Sequence, residues 1–502
     1  MTIRITIDPA FVVSPVRRRT FGSFVEHLGR CVYTGIFEPD HPQADEAGFR
    51  TDVLDLVREL GVSTIRYPGG NFVSSYRWED GVGPVEERPA RLDLAWHSTE
   101  PNTFGLDEFM AWCTKADVEP MMAINLGTRG IAEAIDILEY CNVPGGTALS
   151  EQRRANGSVE PYRIGMWCLG NEMDGPWQVG HMSAHEYGRI AARVARAMRM
   201  VDANLELVAC GSSHTSMPTF GSWERIVLEE TYDEVDLISA HAYYYEDEGD
   251  LGSFLASAVN MDLFIEGVAA TADAVRTAKK RDKRIAISFD EWNVWYQQRV
   301  ESKVPEGDDW PVAPRLLEDR YNVADAVVVG NLLISLLRHT DRVHSASLAQ
   351  LVNVIAPIMT EPGGPAWRQT TFHPFALTSR HARGEVLRVP IVTQTYETAK
   401  FGEVALIDAV ATHDEESGEV ALFVVNRDQS SEQKLEVSLD TFGSAWVIEA
   451  VVLSNPDHTW QASIDDHDSV APRSLDGVEV DGGTVTATLP PVSWAMIRLA
   501  TR

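Results

Sequence analysis

The sequence predicts a (β/α)8 barrel joined to a smaller all-β sandwich of jelly-roll-like kind, and three observations predict it. From about residue 20 to residue 347, short apolar runs alternate with longer amphipathic stretches, the mark of a parallel sheet with crossover helices. Eight such units fall in roughly 330 residues, within the range of a barrel that carries insertions. Beyond about Arg383 the long helical periodicity stops, and short alternating runs separated by turn residues replace it. The barrel is therefore expected over residues 18–383 and the sandwich over residues 1–17 and 384–502. An open doubly wound sheet would need a Gly-rich phosphate loop after its first strand, where Phe24-Val25-Glu26-His27 stands instead.

The eight barrel strands are expected at 20–26, 63–67, 119–125, 164–169, 205–211, 235–241, 284–290 and 345–351. Helices are expected at 52–60, 106–116, 184–203, 259–281 and 323–339. The first of them sets Val53, Leu54, Leu56, Val57 and Leu60 along one face and should stop at Gly61. Sandwich strands are expected at 403–407, 419–425, 434–439, 446–453, 484–489 and 493–499. The run 2–8 alternates Ile3, Ile5 and Ile7 and needs a partner before the barrel begins, so it is assigned to the sandwich.

The 502 residues carry a formal charge of −31, which argues against nucleic acid and anionic membranes as partners, since both call for basic patches. No stretch approaches the roughly 20 apolar residues that span a bilayer. The first residues lack the basic and apolar regions of a signal peptide. Five scattered cysteines, never spaced as CxxC, read as free thiols in a reducing compartment, so a cytoplasmic protein is expected.

In such a barrel the C-terminal strand ends face the active site. Polar groups gather there: Glu26-His27 after strand one, Arg66 to Asn71 after strand two, Asn125 after strand three and Asn171-Glu172 after strand four. His241 and Tyr243 follow strand six, Asp290-Glu291-Trp292-Asn293 end strand seven, and Gln350 ends strand eight. A single carboxylate at a strand end reads equally well as a helix cap or a rim ion pair. Two glutamates after strands four and seven converge from opposite sides of the barrel. Hydrolysis of a glycosidic bond needs such a pair, one carboxyl protonated and one ionised. Trp96, Trp177, Trp292 and Trp295, with Tyr243, Tyr244 and Tyr245, follow strands and offer faces on which sugars stack. Trp292 alternates away from Glu291 and is expected to pack the barrel, as is at least one of the tyrosines. His241, beside Tyr243, is expected to hydrogen-bond the second glutamate. His181 and His185 have the i, i+4 spacing of a zinc pair but lack the HExxH glutamate, so no metal or cofactor is expected.

The segments Phe24-Val25-Glu26-His27-Leu28-Gly29, Arg66-Tyr67-Pro68-Gly69-Gly70-Asn71-Phe72, Cys168-Leu169-Gly170-Asn171-Glu172-Met173-Asp174-Gly175-Pro176-Trp177 and Phe289-Asp290-Glu291-Trp292-Asn293 together resemble the α-L-arabinofuranosidases of glycoside hydrolase family 51. The resemblance implies a retaining enzyme with Glu172 as acid/base and Glu291 as nucleophile. It implies that Glu26, Asn71 and Asn171 hold furanose hydroxyls, that Tyr243 and Arg66 position Glu291, and that Gln350 lines the pocket. By the same resemblance Trp96, Trp177 and Trp295 shape the sugar or leaving-group site. It further implies a carbohydrate substrate, release of terminal L-arabinofuranose, no metal requirement and a homohexamer.

Other readings leave distinct marks. An endo-β-glucanase would need an open cleft, whereas residues 73–103 could wall a blind pocket; a β-xylosidase differs only in the sugar. A non-catalytic sugar-binding barrel would have no use for two opposed carboxyls, and a metal-dependent isomerase would lose activity to a chelator.

Overall fold

The computed structural model of the protein describes residues 2–297 and 303–501. Eight parallel strands close a barrel in chain order: β1 (Gly22–Phe24), β2 (Thr64–Tyr67), β3 (Glu119–Ile124), β4 (Met166–Leu169), β5 (Glu206–Ala209), β6 (Leu237–Tyr244), β7 (Ala286–Val294) and β8 (Val343–Leu348). Alternation along the strands separates two cores. Met121, Ala123, Met166, Cys168, Val208, Leu237 and Ala286 fill the interior. Met122, Ile124, Trp167, Leu169, Leu207 and Ala209 point outward to the helices.

The helix Thr51–Leu60 buries the five apolar residues its spacing predicts, and Gly61 ends it at φ 75°, its N–H bonded to Val57 O. That left-handed turn favours glycine. Among the described residues five further helices lie outside those expectations: Ile131–Asn142, Ala148–Ala155, Ser222–Thr231, Leu251–Leu255 and Phe372–His381. Ala148–Ala155 shows why, since it buries only Ser150 and Arg153 and so carries no apolar stripe. The expected first strand at 20–26 is shorter than its apolar run, because Arg18–Phe21 coils into a 3-10 turn before β1.

The sandwich consists of a five-stranded and a seven-stranded sheet. Ile3–Thr6 enters the smaller sheet, parallel to Gln433–Ser438 and antiparallel to Ile391–Val392. Ile407–Asp414, Glu419–Asn426, Ser493–Thr501 and Ala445–Leu453 lie side by side in the larger one. Ile3, Ile5, Ile7, Leu422, Val424, Leu435, Val437 and Ile497 pack in the core between the sheets. The expected strand 403–407 is in fact two: Gly402–Ala405 pairs in a small hairpin with Thr395–Thr398, and Ile407–Asp414 begins after Leu406.

The helix Val323–Arg338 is buried around its whole circumference and largely apolar because it is covered on both sides, by barrel elements and by strands of the sandwich. Its polar groups are spent on that interface: Asn331 Oδ1 accepts from Arg427 (Nη2, 2.6 Å) and Asn331 Nδ2 donates to Asp408 (2.8 Å). Arg338 pairs with the same aspartate. Gly330 lies against Trp494, where an added Cβ would sit 2.2 Å from the ring. Gly330→Ala should destabilise the protein by about 1–3 kcal/mol through overpacking, against the ~1 kcal/mol that alanine contributes in a helix. Denaturant titration checks it; a stabilised variant would show that the glycine is not a packing requirement.

Candidate active site

The site is built at the C-terminal mouth of the barrel, and an irregularity in β7 sets its geometry. Ser239 pairs with Ser288, yet His241 pairs with Glu291, so Phe289 and Asp290 together face the single residue Ala240. The extra residue of such a bulge re-aims the chain beyond it. Asp290 and Glu291 consequently both point to the barrel axis, Asp290 below near Arg66 and Cys168, Glu291 above, while Trp292 turns outward and stacks on Phe375. Across the barrel, Glu172 follows β4 with φ 43°, a left-handed conformation that costs a non-glycine residue about 1–2 kcal/mol. It is buried and tied by two side-chain hydrogen bonds.

The two glutamates meet at His241: one oxygen of each and a ring nitrogen of His241 all lie within 4.8 Å of one another. His241 Nδ1 is 2.9 Å from Glu172 Oε1 and 3.6 Å from Glu291 Oε2. The expected bond to the second glutamate is thus made to the first, because the left-handed turn carries Glu172 towards β6. Trp177 Nε1 donates to the other oxygen of Glu172 (2.6 Å). Glu291 accepts from Arg66 Nη1 (2.8 Å) and from the Tyr243 hydroxyl (2.7 Å).

These partners separate the two carboxyls electrically. Burial pushes the Glu172 carboxyl up, and the neighbouring Glu291 charge adds to it, outweighing the bonds from His241 and Trp177. For Glu291 burial also acts upward, but His241, Arg66 and Tyr243 overcome it and hold its carboxyl below the usual glutamate range. His241 is disfavoured as a cation by burial, yet the two carboxylates raise its proton affinity overall. The site can therefore present one carboxylic acid and one carboxylate with an oxygen of each within 4.8 Å of the other. Among the described residues, Glu172, His241 and Glu291 are also the set with spacing for a metal ion, but their oxygens already accept from Arg66, Tyr243 and Trp177.

Glu26 forms a second acidic centre. It accepts from Phe72 N and Trp96 Nε1 (both 2.9 Å) at one oxygen and from Gln350 Nε2 (3.0 Å) at the other. Burial pushes its carboxyl up to about 8, against the pull of the Phe72 and Trp96 bonds. Asn171 is engaged by Arg66 Nη2 (2.6 Å), and its amide nitrogen is 3.3 Å from Asn71 Oδ1. Trp295 sets its ring edge-on to Tyr243 at 5.0 Å. A cavity of about 570 Å³ brings together Glu26, Asn71, Trp96, Glu172, Trp177, Tyr243, Glu291, Trp295 and Gln350. Arg66, Asn171 and His241 lie beneath that lining as partners of its carboxyls and amides. Asn125 is elsewhere, bonded to Tyr76 O and Thr128.

Sequence reasoning missed two groups. Gln178, buried, accepts from the Asn171 amide and donates to the Asn71 backbone carbonyl and to the Ser74 hydroxyl. Residues 213–216 after β5 line the cavity beside Trp177, whose ring stacks on His214 at 6.0 Å. The polar run Ser212-Ser213-His214-Thr215-Ser216 at a strand end was the available signal. A larger groove of about 800 Å³, lined by Arg315, Glu361 and Asp465 among others, contains none of the expected site residues.

The chain matches the family models described as α-L-arabinofuranosidase 1 domain over residues 56–263 and α-L-arabinofuranosidase C-terminal domain over residues 290–493. It is 58% identical, over 99% of its length and 75% of the relative's, to an intracellular exo-α-(1→5)-L-arabinofuranosidase of Streptomyces lividans. It is 57% identical to an exo-α-(1→6)-L-arabinofuranosidase of Bifidobacterium longum, covering 99% of this chain and 97% of that one. Among solved structures, a family 51 α-L-arabinofuranosidase from Bifidobacterium longum superposes with a TM-score of 0.96 at 51% identity, over 99% of both chains.

The electrostatics carry a signed expectation. His241 lowers the proton affinity of both glutamates, so His241→Gln should raise both. If one must be ionised and the other protonated, both limbs of the pH profile of kcat/KM move to higher pH. Limbs that stay put or move down would contradict the assignment of His241 as their shared cationic neighbour.

Proposed function

The chain belongs to the α-L-arabinofuranosidases of glycoside hydrolase family 51, and on that premise we propose that it is a retaining, exo-acting enzyme working by double displacement. One observation carries the mechanism: two carboxyls with oxygens within 4.8 Å, shifted in opposite directions. Retaining glycosidases hold their carboxyls about 5–5.5 Å apart, whereas inverting ones leave about 6.5–9.5 Å for a water.

In the first step the Glu291 carboxylate attacks the anomeric carbon, the glycosidic bond breaks, and the leaving oxygen takes the Glu172 proton. The product is an arabinosyl ester on Glu291. Ester formation removes the negative charge that raises Glu172, so its proton affinity falls and, having given up its proton, it stays ionised and free to act as a base. It then takes a proton from water, whose oxygen attacks the same carbon and frees both L-arabinose and Glu291. Arg66 and Tyr243 hold the attacking carboxylate, Trp177 and His241 hold the acid, and Glu26, Asn71, Asn171 and Gln350 bind the hydroxyls of the furanose. Trp96 and Trp295 shape the sugar pocket, and Trp177 also flanks the leaving group.

The substrates are terminal arabinofuranosyl units of arabinan, arabinoxylan or arabino-oligosaccharides, in keeping with the exo-α-(1→5) and exo-α-(1→6) names of the relatives. An intracellular location accords with the name of the Streptomyces relative and with five buried free cysteines. Barrel and sandwich divide at residues 18–383 against 1–17 and 384–502, and assembly as a homohexamer rests on the family resemblance. No helix among the described residues is long and apolar enough to cross a membrane.

Proton NMR of a fresh hydrolysate of an aryl α-L-arabinofuranoside should show the α-anomer first; β-arabinose as first product would overturn double displacement. Glu291→Ala should lose activity and, with azide, yield the inverted glycosyl azide. Glu172→Ala should lose about 10²–10⁴-fold on natural linkages and far less on an aryl substrate whose leaving group needs no proton. Equal losses on both substrates would contradict its role as acid.

A further inference from the structure

A buried polar chain behind the sugar pocket returns on itself. His27, whose side chain is fully buried, directly follows Glu26 at the end of β1. Its Nδ1 lies 2.8 Å from Glu100 Oε2 and its Nε2 lies 2.8 Å from the Tyr67 hydroxyl. Glu100 accepts at its other oxygen from Asn102 N (2.7 Å) and from the Tyr33 hydroxyl. With the carboxylate only accepting, Nδ1 carries the imidazole proton and Nε2 accepts from Tyr67. The His27 ring stacks on Phe72 at 4.8 Å and 19°, and Phe72 N is one of the donors to Glu26.

Glu100 ends the second strand of an antiparallel hairpin, Arg91–Asp93 with Ser98–Glu100. The turn of that hairpin carries Trp96, whose indole N–H donates to Glu26 Oε1. The hairpin is thus joined to the end of β1 twice, at its base by Glu100 to His27 and at its tip by Trp96 to Glu26. Its other edge is tied through Thr99 to Trp310 O and Pro311 O. Hairpins lying outside a barrel have little apolar area of their own to hold them, so a buried bond to a carboxylate at the base is a substantial restraint beside the more exposed Arg91–Asp80 pair on the first strand.

We propose that Glu100 and His27 are positioning residues for the arabinofuranosidase reaction: their bond sets the hairpin so that Trp96 reaches Glu26, which fixes the wall and the carboxyl that hold the sugar. Neither touches the substrate. Both act through Trp96 and Glu26, so the inference rests on the reading of those two residues as sugar-binding.

A double-mutant cycle on kcat/KM for an aryl α-L-arabinofuranoside, using Glu100→Ala and Trp96→Phe in the full-length enzyme, tests it. Each single variant should lose activity by tenfold or more, with KM rising as well as kcat falling. The double variant should lose less than threefold beyond the worse single one, because the clamp acts through the tryptophan. Losses that multiply would overturn the proposal and mark Glu100 as a general support of the fold. Unchanged activity of a folded Glu100→Ala would overturn it too. If only Trp96→Phe proves silent, the sugar-binding reading of Trp96 fails, and the proposal with it. Should Glu100→Ala fail to fold, Glu100→Gln and Tyr33→Phe replace it. Glu100→Gln keeps an acceptor and should regain most of the activity, while Tyr33→Phe, which leaves the His27 bond intact, should show a smaller loss with the same non-additivity; multiplying losses there have the same overturning meaning.

Discussion

Everything at the mouth of this barrel depends on keeping two buried carboxyls, less than 5 Å apart at their nearest oxygens, in different protonation states. Two like charges at that distance repel by about 3 kcal/mol at an effective dielectric of ~20, so both cannot ionise cheaply. The protein settles which one does by an unequal distribution of donors. Glu291 has a guanidinium and a phenol; Glu172 has an indole N–H and shares an imidazole. A fixed cation outweighs an indole dipole, so proton affinity is raised at Glu172 and lowered at Glu291. In the proposed double displacement the same inequality orders the events, since neutralising Glu291 as an ester would lower the proton affinity of Glu172 and leave it ionised to act as a base.

The scaffold supplies that inequality through two local departures from regularity. The bulge in β7 lets consecutive acids face the axis, so Asp290 helps retain Arg66 beneath while Glu291 stays at the surface of the cavity. The left-handed turn at Glu172 brings a side chain from β4 to a histidine on β6. Strain of this kind persists where neighbouring contacts over-determine it. The burial of the helix Val323–Arg338 between barrel and sandwich gives the structure behind β7 and β8 little freedom to relax the bulge.

Much of this was legible in the sequence, for identifiable reasons. Strand and helix periods separated barrel from sandwich, and Gly61 marked a helix end, because each rests on local chemistry. The two glutamates stood out because strand ends four and seven are opposed by topology alone. What the sequence withheld depends on backbone irregularity. Alternation shows neither the bulge nor the left-handed turn at Glu172, so it places His241 on Glu291 where the closer contact is with Glu172. The helix Ala148–Ala155 lacks an apolar stripe, and residues 213–216 have no motif beyond their place after β5. Glu100 and His27 meet 73 positions apart, through a hairpin whose fold no periodicity announces.

The central claim is that Glu291 is the ionised and Glu172 the protonated member of the pair, and carboxyl-carbon NMR titration of the enzyme labelled at glutamate measures it directly. Resonances assigned by Glu172→Gln and Glu291→Gln should show Glu291 titrating below 4.5 and Glu172 above it, with the Glu172 value falling once Glu291 is esterified by a slow-turnover arabinofuranosyl inactivator. The reverse order, or a Glu172 value indifferent to the esterification, would contradict the account.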